Sequence, residues 1–382
     1  MKMRYGMLAG MLLLVGGTTG WARSGALEWA FEFASAIRTD QWDRGRAQAE
    51  VVLAAAEAGR LDQALAWADA VTGWRRGVVY AELAVPLARR GQEAEARALL
   101  ARAEDMSRQI QDWTGPRVAA HVALAYAALG QRDRSAQISA RLEGEEKLKA
   151  LPVAVAPLVE AGDFDAAMEL LGHVTEGHPF DVRLAQARAY LDLAQHPALG
   201  MQTAKRKRAA LAALATVEKL PVDVRVETAV KAAELFRGMG LRDEAQRVLT
   251  EVEAILVPSR SQPLERAPLV VKLALAWERL GERARCRQLL PEALAGVEQA
   301  QDIDQPMVYA AVAGGYAAVR AEQQARQFFA TGLDLAAQLV NARPRALAVV
   351  ELCRAMGVAG MTLTKAEQGR LQALYDGLGA PW

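Results

Sequence analysis

Cysteine and histidine are scarce in this sequence. Cys286 and Cys353 lie far apart, and four histidines at 121, 173, 178 and 196 share no metal-ligand spacing. A disulfide scaffold is therefore excluded, a structural or catalytic zinc site is not expected, and each cysteine reads as a small core residue. No HExxH, CxxC, GxSxG or Walker-type GxxxxGK[ST] motif occurs, and "GMG" at 238–240 falls in a turn between helical stretches rather than in a dinucleotide loop. No cofactor is implied. One-sided charge is also missing, since 46 basic against 45 acidic side chains leave +1. Without a global field there is no reason to expect nucleic acid as a partner. The one basic run, Lys205 to Arg208, opens an alanine-rich helical stretch and reads as a solvated face. The acidic residues Glu143, Glu145 and Glu146, like Asp163 and Asp165, fall in turns.

Long apolar runs are confined to the start. Lys2 and Arg4 precede "MLAGMLLLV" (7–15), and small residues follow up to Ala22. That layout predicts a secretory signal peptide over 1–22, cleaved after Ala22, with the mature chain periplasmic or secreted. The run is too short for a permanent anchor, and nothing later reaches eighteen unbroken apolar residues, so no integral membrane segment is expected after signal removal.

What the remainder contains is a repeat. Glycine recurs at 59, 91, 130, 162, 240 and 281, with Arg320 in the same setting. The intervals are 32, 39, 32, 78, 41 and 39, so one unit between Gly162 and Gly240 has lost its marker. Four places before each marker stand Ala55, Leu87, Tyr126, Leu158, Phe236, Trp277 and Tyr316, mostly large. Five places after stand Ala64, Ala96, Ser135, Ala167, Ala245, Cys286 and Ala325, all small. Each unit reads as helix, tight turn, helix: the small residue lets the second helix close on the first, and glycine ends the first in a left-handed cap. Stacked units of this period bury their faces against neighbours.

On "YAALGQRDRSAQ" (126–137), "EAGDFDAAMELL" (160–171) and "GMGLRDEAQRVL" (238–249), the chain resembles the tetratricopeptide repeat family over roughly residues 40–335. The period is not a steady 34, and related solenoids such as HEAT repeats stay open. The resemblance implies an all-α, right-handed α-solenoid of stacked antiparallel helix pairs. Residues 23–382 are expected to form a single helical repeat domain of about nine pairs, with an opening helix at 25–38, an irregular unit at 182–218 and a closing pair at 343–377. The lengthened turn "QHPALGMQT" in the irregular unit is a candidate functional loop. Pro86 and Pro157, inside first helices, predict local bends.

The first helices look apolar all round, as in "VVYAELAVPLA" and "MVYAAVAGGYAAV", and such helices must be buried on every side. About 400 Å² of wet apolar groove would cost on the order of 10 kcal/mol, so a self-covering inner layer is expected. If a groove exists, the resemblance places its lining thirteen, ten, six and three residues before the marker. The matching residues are Arg117, Leu124, Glu227, Glu234, Arg237, Val271, Leu275 and Glu278. Trp29, Trp42, Trp67, Trp74 and Trp113 crowd the first third and read as packing of the N-terminal cap rather than as a sugar or peptide platform.

The expected function is an exported, non-catalytic scaffold that binds protein or peptide partners in the bacterial cell envelope. Two alternatives carry different signatures. A helical toroid enzyme acting on an envelope polysaccharide needs acidic or aromatic residues converging on a central pocket, and an accessory of wall processing would bind peptidoglycan.

Overall fold

The computed structural model describes residues 25–38, 41–175, 177–258 and 262–382. The predicted signal peptide lies outside them. Among the described residues the chain is all helix and turn, an all-α solenoid. A first helix, α1 (Ala26–Ala36), precedes a run of hairpins. These are α2 (Gln41–Glu57) with α3 (Leu61–Ala68), α4 (Arg75–Arg89) with α5 (Glu93–Gln109), and α6 (Thr114–Ala128) with α7 (Arg132–Ser139). A short α8 (Gly144–Lys149) leads into α9 (Leu151–Glu160) with α10 (Phe164–Gly172), then α11 (Phe180–Gln195) with α12 (Thr203–Val217). Next come α13 (Val222–Gly238) with α14 (Arg242–Leu256), α15 (Pro263–Arg279) with α16 (Arg283–Glu292), and α17 (Gln305–Ala318) with α18 (Glu322–Gln338). The last helices are α19 (Ala342–Val358) and α20 (Lys365–Asp376). Both α4 and α9 run on through Pro86 and Pro157, which sit near their C-terminal ends.

The marker residues do what their spacing predicts. Gly59, Gly91, Gly130, Gly162, Gly240 and Gly281 all have φ between +71° and +92°, and Arg320 holds φ +62°. Each time the amide after the marker donates to the carbonyl five residues back, from Arg60 to Ala55 at 2.8 Å through Ala321 to Tyr316 at 2.9 Å. The space beside Gly162 and Gly240 is empty, so backbone conformation rather than crowding selects glycine there. The small residues five after the marker, Ala64 to Ala325, are all buried, and Ser135 donates its hydroxyl to the Ala123 carbonyl at 2.7 Å. Gly360 (φ +74°) is an eighth such cap, hidden from the repeat pattern because Lys365 follows where a small residue is expected. Gly200, where the missing marker should stand, adopts φ +44°, ψ −119° after a 3-10 turn at Pro197–Leu199.

The first helices form a layer in which each touches the next, from α2 through α4, α6, α9, α11, α13, α15 and α17 to α19. That layer closes, because α19 packs beside α2. Asp43 and Arg343, each near the start of its helix, pair at 2.6 Å, and Glu50 midway along α2 feels Glu351 and Arg354 midway along α19. The two helices are thus level, as ordinary neighbours are. The array is a ring, not the open rod that a solenoid with capped ends implies.

The opening helix makes this closure. α1 seats on α19 as a second helix seats on its first, then packs on α2. Leu27, Trp29, Phe33 and Ile37 are all fully buried, each contributing about 1.5–3 kcal/mol. The closing pair expected over 343–377 is corrected accordingly. No extensive packing joins α19 to α20. Instead, α20 lies over the seam, with Tyr375 edge-on to Phe33 at 5.4 Å and to Trp29 at 6.1 Å, while Glu367 accepts from Arg326 of α18 at 2.8 Å. The physical reason is area: α1 buries seven residues, Leu27 among them against Gly357 of α19, whereas α20 buries only Glu367 and Leu371.

Two measurements check these packing claims. Arg320→Gly removes a left-handed non-glycine and should raise unfolding free energy by about 1 kcal/mol in urea denaturation. At Gly357 an added Cβ would lie 2.5 Å from Leu27 Cγ. Gly357→Val should lift α1 from α19 and make Cys353, on the same face one turn back, reactive to a thiol reagent, while Cys286, whose thiol burial pushes up to about 11, stays protected. Equal protection of both thiols in that variant would rule out the seam.

Candidate functional site

Nine helices spaced about 9 Å apart around a closed path leave a central opening of at most about 15 Å. The residues facing it follow a helical rule. Nine places before the marker stand Glu50, Glu82, His121, Lys231, Lys272 and, counting from Gly360, Glu351, with Val153 and Ala311 as the uncharged members in the units of Gly162 and Arg320. With the positions thirteen and six before, they share one face of a 3.6-residue helix, whereas offsets ten and three lie rotated toward the neighbouring helix.

That rotation explains where the expected groove residues lie. Arg117 and Leu124, at offsets thirteen and six, line a lumen cavity of about 470 Å³. Glu227 and Glu234 also face the lumen but are taken up in lateral ion pairs with Lys272 and Arg279 of the next helix. Val271, at offset ten, is buried, because a Cβ on Gly315 of α17 would press within 2.9 Å of it. Leu275 is half-buried among the core side chains, Glu278 pairs with Arg283 at 3.2 Å, and Arg237 is exposed beside Glu234 and Arg279. The inner layer is therefore neither self-covering nor an apolar groove. Its lumen face mixes charged side chains with apolar ones such as Leu53, Val78 and Leu124, and its flanks are apolar.

The cavity is bounded by α2, α4 and α6 on one side and α11 on the other. Arg46, Arg75 and Arg117 project from the first wall, Asp181, Arg188 and Asp192 from the second. Arg46 pairs with Asp43 at 3.5 Å and Arg117 approaches Glu146 at 3.8 Å. Arg75 reaches the Trp42 carbonyl at 3.3 Å, and burial, then neighbouring Arg46, hold its guanidinium below the ordinary range. Glu50 and Asp192 are both exposed to solvent, on walls that face each other across the cavity. Burial pushes both carboxyls above the usual carboxylate range, helped at Glu50 by Glu351.

Above the cavity, at the rim formed by the starts of the first helices, the tryptophans divide. Trp29 and Trp67 are core, the latter stacked on Phe31 at 4.7 Å. Trp42 (42% exposed) and Trp113 (57% exposed) instead stack on each other at 5.9 Å over Trp74, with Arg75 and Arg117 against the indole faces at 4.7–5.8 Å. Cap packing thus accounts for two of the five, and a surface cluster holds the other three. Phe180, Ile303 and Val340 are exposed at the starts of α11, α17 and α19, on the same rim.

Second helices are joined by a recurring clamp that the repeat pattern leaves unmarked. Glu104 of α5, thirteen after its marker, accepts from Arg134 of α7 at 2.5 and 3.2 Å and from Arg108, with Tyr126 of α6 against the same pair. Glu253 of α14 repeats this with Arg285 and Trp277, whose indole N–H donates at 2.9 Å. The signal is a glutamate at plus thirteen followed by an arginine at plus four of the next unit. Burial alone would raise the Glu104 carboxyl, but the bonds to Arg108 and Arg134 prevail and hold it below its ordinary value.

The helical hairpins, their left-handed caps and the small-against-large contacts define the chain as a TPR-like helical solenoid, closed here into a ring. No protein-family model matches it, and no curated protein matches it in sequence. Among solved structures it is similar to a kinesin light chain protein of Podosopora anserina with nearly identical TPR-like repeats (20% identity, 58% of this chain and 96% of that one, TM-score 0.32). It is similar also to the quorum sensor NprR of B. thuringiensis in its apo form (13% identity, 78% and 89%, TM-score 0.29). A third is a signal-transduction ATPase with numerous domains and a tetratricopeptide repeat sensor, from Pyrococcus horikoshii (11% identity, 90% and 53%, TM-score 0.32).

Glu104→Gln should cost about 1–3 kcal/mol at pH 7, since it leaves two guanidiniums short of their acceptor. A carboxyl lowered on folding contributes stability that is present above its unfolded value near 4.5 and lost as pH falls through the lower folded one. The difference between the two proteins should therefore shrink in that acid range, as read by thermal unfolding against pH.

Proposed function

We propose that this protein is an exported, non-catalytic scaffold of the cell envelope whose ring docks a protein partner through its aromatic rim. Export is supported by the charged, apolar and small-residue order of the first 22 residues. One observation carries the docking reading. Trp42 and Trp113 stack on one rim, which also carries exposed Phe180, Ile303 and Val340 at the starts of α11, α17 and α19, whereas Met201 and Val358 are the large exposed apolar side chains at the opposite ends of these helices, among the described residues. Exposed tryptophan beside arginine is the composition of protein-interface hot spots.

A second reading has its own support: Glu50 lines the same cavity as Asp192, and paired carboxylates in a closed ring could serve an enzyme of envelope polysaccharide. A single experiment separates the readings. Mature protein, expected to begin at Arg23, is used to capture partners from an envelope fraction, alongside Trp113→Ala/Phe180→Ala and Met201→Ala variants. The rim double variant should lose at least tenfold of the captured partner while Met201→Ala loses none. Equal capture by all three would overturn rim docking, and release of reducing ends from envelope polysaccharide would overturn the non-catalytic reading.

A further inference from the structure

Among the charges that line the lumen cavity, Arg75 and Asp192 stand on opposite walls and neither is paired in contact, while Glu50 is a second carboxylate of this kind on the same wall as Arg75. Arg75 stands on the wall of α4, and no carboxylate pairs with it among the described residues. Its contacts are a backbone carbonyl and the indole faces of Trp42 and Trp74. Arg46 and Arg117 flank it on α2 and α6, so this wall is cationic despite Glu50. Asp192 stands on α11 across the cavity, again without an ion-pair partner in contact. Lys231 and Arg188 act on it only from a distance, and enclosure outweighs them.

A cavity charge that has no partner in contact offers a ligand of opposite charge a charge-assisted bond without breaking one already made. A simple anion would satisfy Arg75 and leave Asp192 as it is. A neutral polyol would satisfy neither. We propose that the cavity binds a small zwitterion, amino-acid-like in chemistry, with its carboxylate on Arg75 and its ammonium group on Asp192. The volume of about 470 Å³ lies within the range of small-molecule sites. Leu53, Val78, Leu124 and Leu184 supply apolar wall between the two charged ends, so the body of the ligand meets hydrocarbon while its termini meet charge. Arg75 also lies beneath the rim tryptophans, which places the anion-binding end of the cavity at the mouth of the ring. This site is separate from rim docking: its failure would leave that reading standing.

The test is isothermal titration of the full mature chain with glycine, diglycine, triglycine and pentaglycine, together with the N-acetyl and C-terminal amide forms of each. One uncapped length should bind best, and capping either end should weaken it about tenfold or more, the scale of a lost charge-assisted contact. Asp192→Asn should abolish the penalty for N-acetylation alone, and Arg75→Gln the penalty for amidation alone. Should a variant misfold, the capped and uncapped ligands on the unaltered protein decide. Absence of binding by every uncapped length, or equal binding by capped forms, would overturn the proposal.

Discussion

Everything in this architecture depends on a contact between the two ends of the chain. α1 occupies on α19 the place that a second helix occupies in every other unit, and only through it does α19 come to lie beside α2. An open array of the same hairpins would have two exposed terminal faces and a concave surface of variable curvature. Closure removes both faces and makes curvature a fixed consequence of unit number. It also explains why one core cluster joins residues 26–153 to 310–371, although about two-fifths of the sequence lies between them.

The ring in turn decides what its inner surface can be. Side chains that would stand apart on a convex or open face are brought from opposite walls to line one cavity. Glu50 and Asp192 are held above the ordinary carboxylate range by that enclosure, and Arg75 below the ordinary guanidinium range. Elsewhere in the lumen the same crowding is relieved by lateral bridges such as Glu227 with Lys272. The α13–α15 arc carries lateral pairs, whereas the cavity holds Arg75, Glu50 and Asp192 without a contact ion pair, so the cavity is where a ligand would change the electrostatic energy most.

The repeat unit was legible because it is local. A left-handed cap at Gly130, a large residue at Tyr126 and a small one at Ser135 all lie within ten residues, and each follows from one helix folding back on the next. The lumen face was half legible. Arg117 and Leu124 fell at offsets that do face inward, but Val271 did not, since a shift of one residue turns a helix by about 100° and moves a side chain from lumen to flank. The charged offset nine before the marker was present all along in Glu50, His121 and Lys272. The composition of each apolar helix masks it, because the few charges amount to little until they are placed on one face.

The amino-acid sequence by itself determined the helical hairpins, their turns and their stacking, since these rest on contacts between residues near one another along the chain. It also carried the small-against-large rule at Ala64, Ala96 and Ala245. Only the tertiary structure decided that the stack is a ring, that Leu27 meets Gly357, and that Arg75 and Asp192 share one cavity. Those relations join positions from about a hundred to over three hundred residues apart, and they depend on the summed rotation of nine units, which no single repeat encodes.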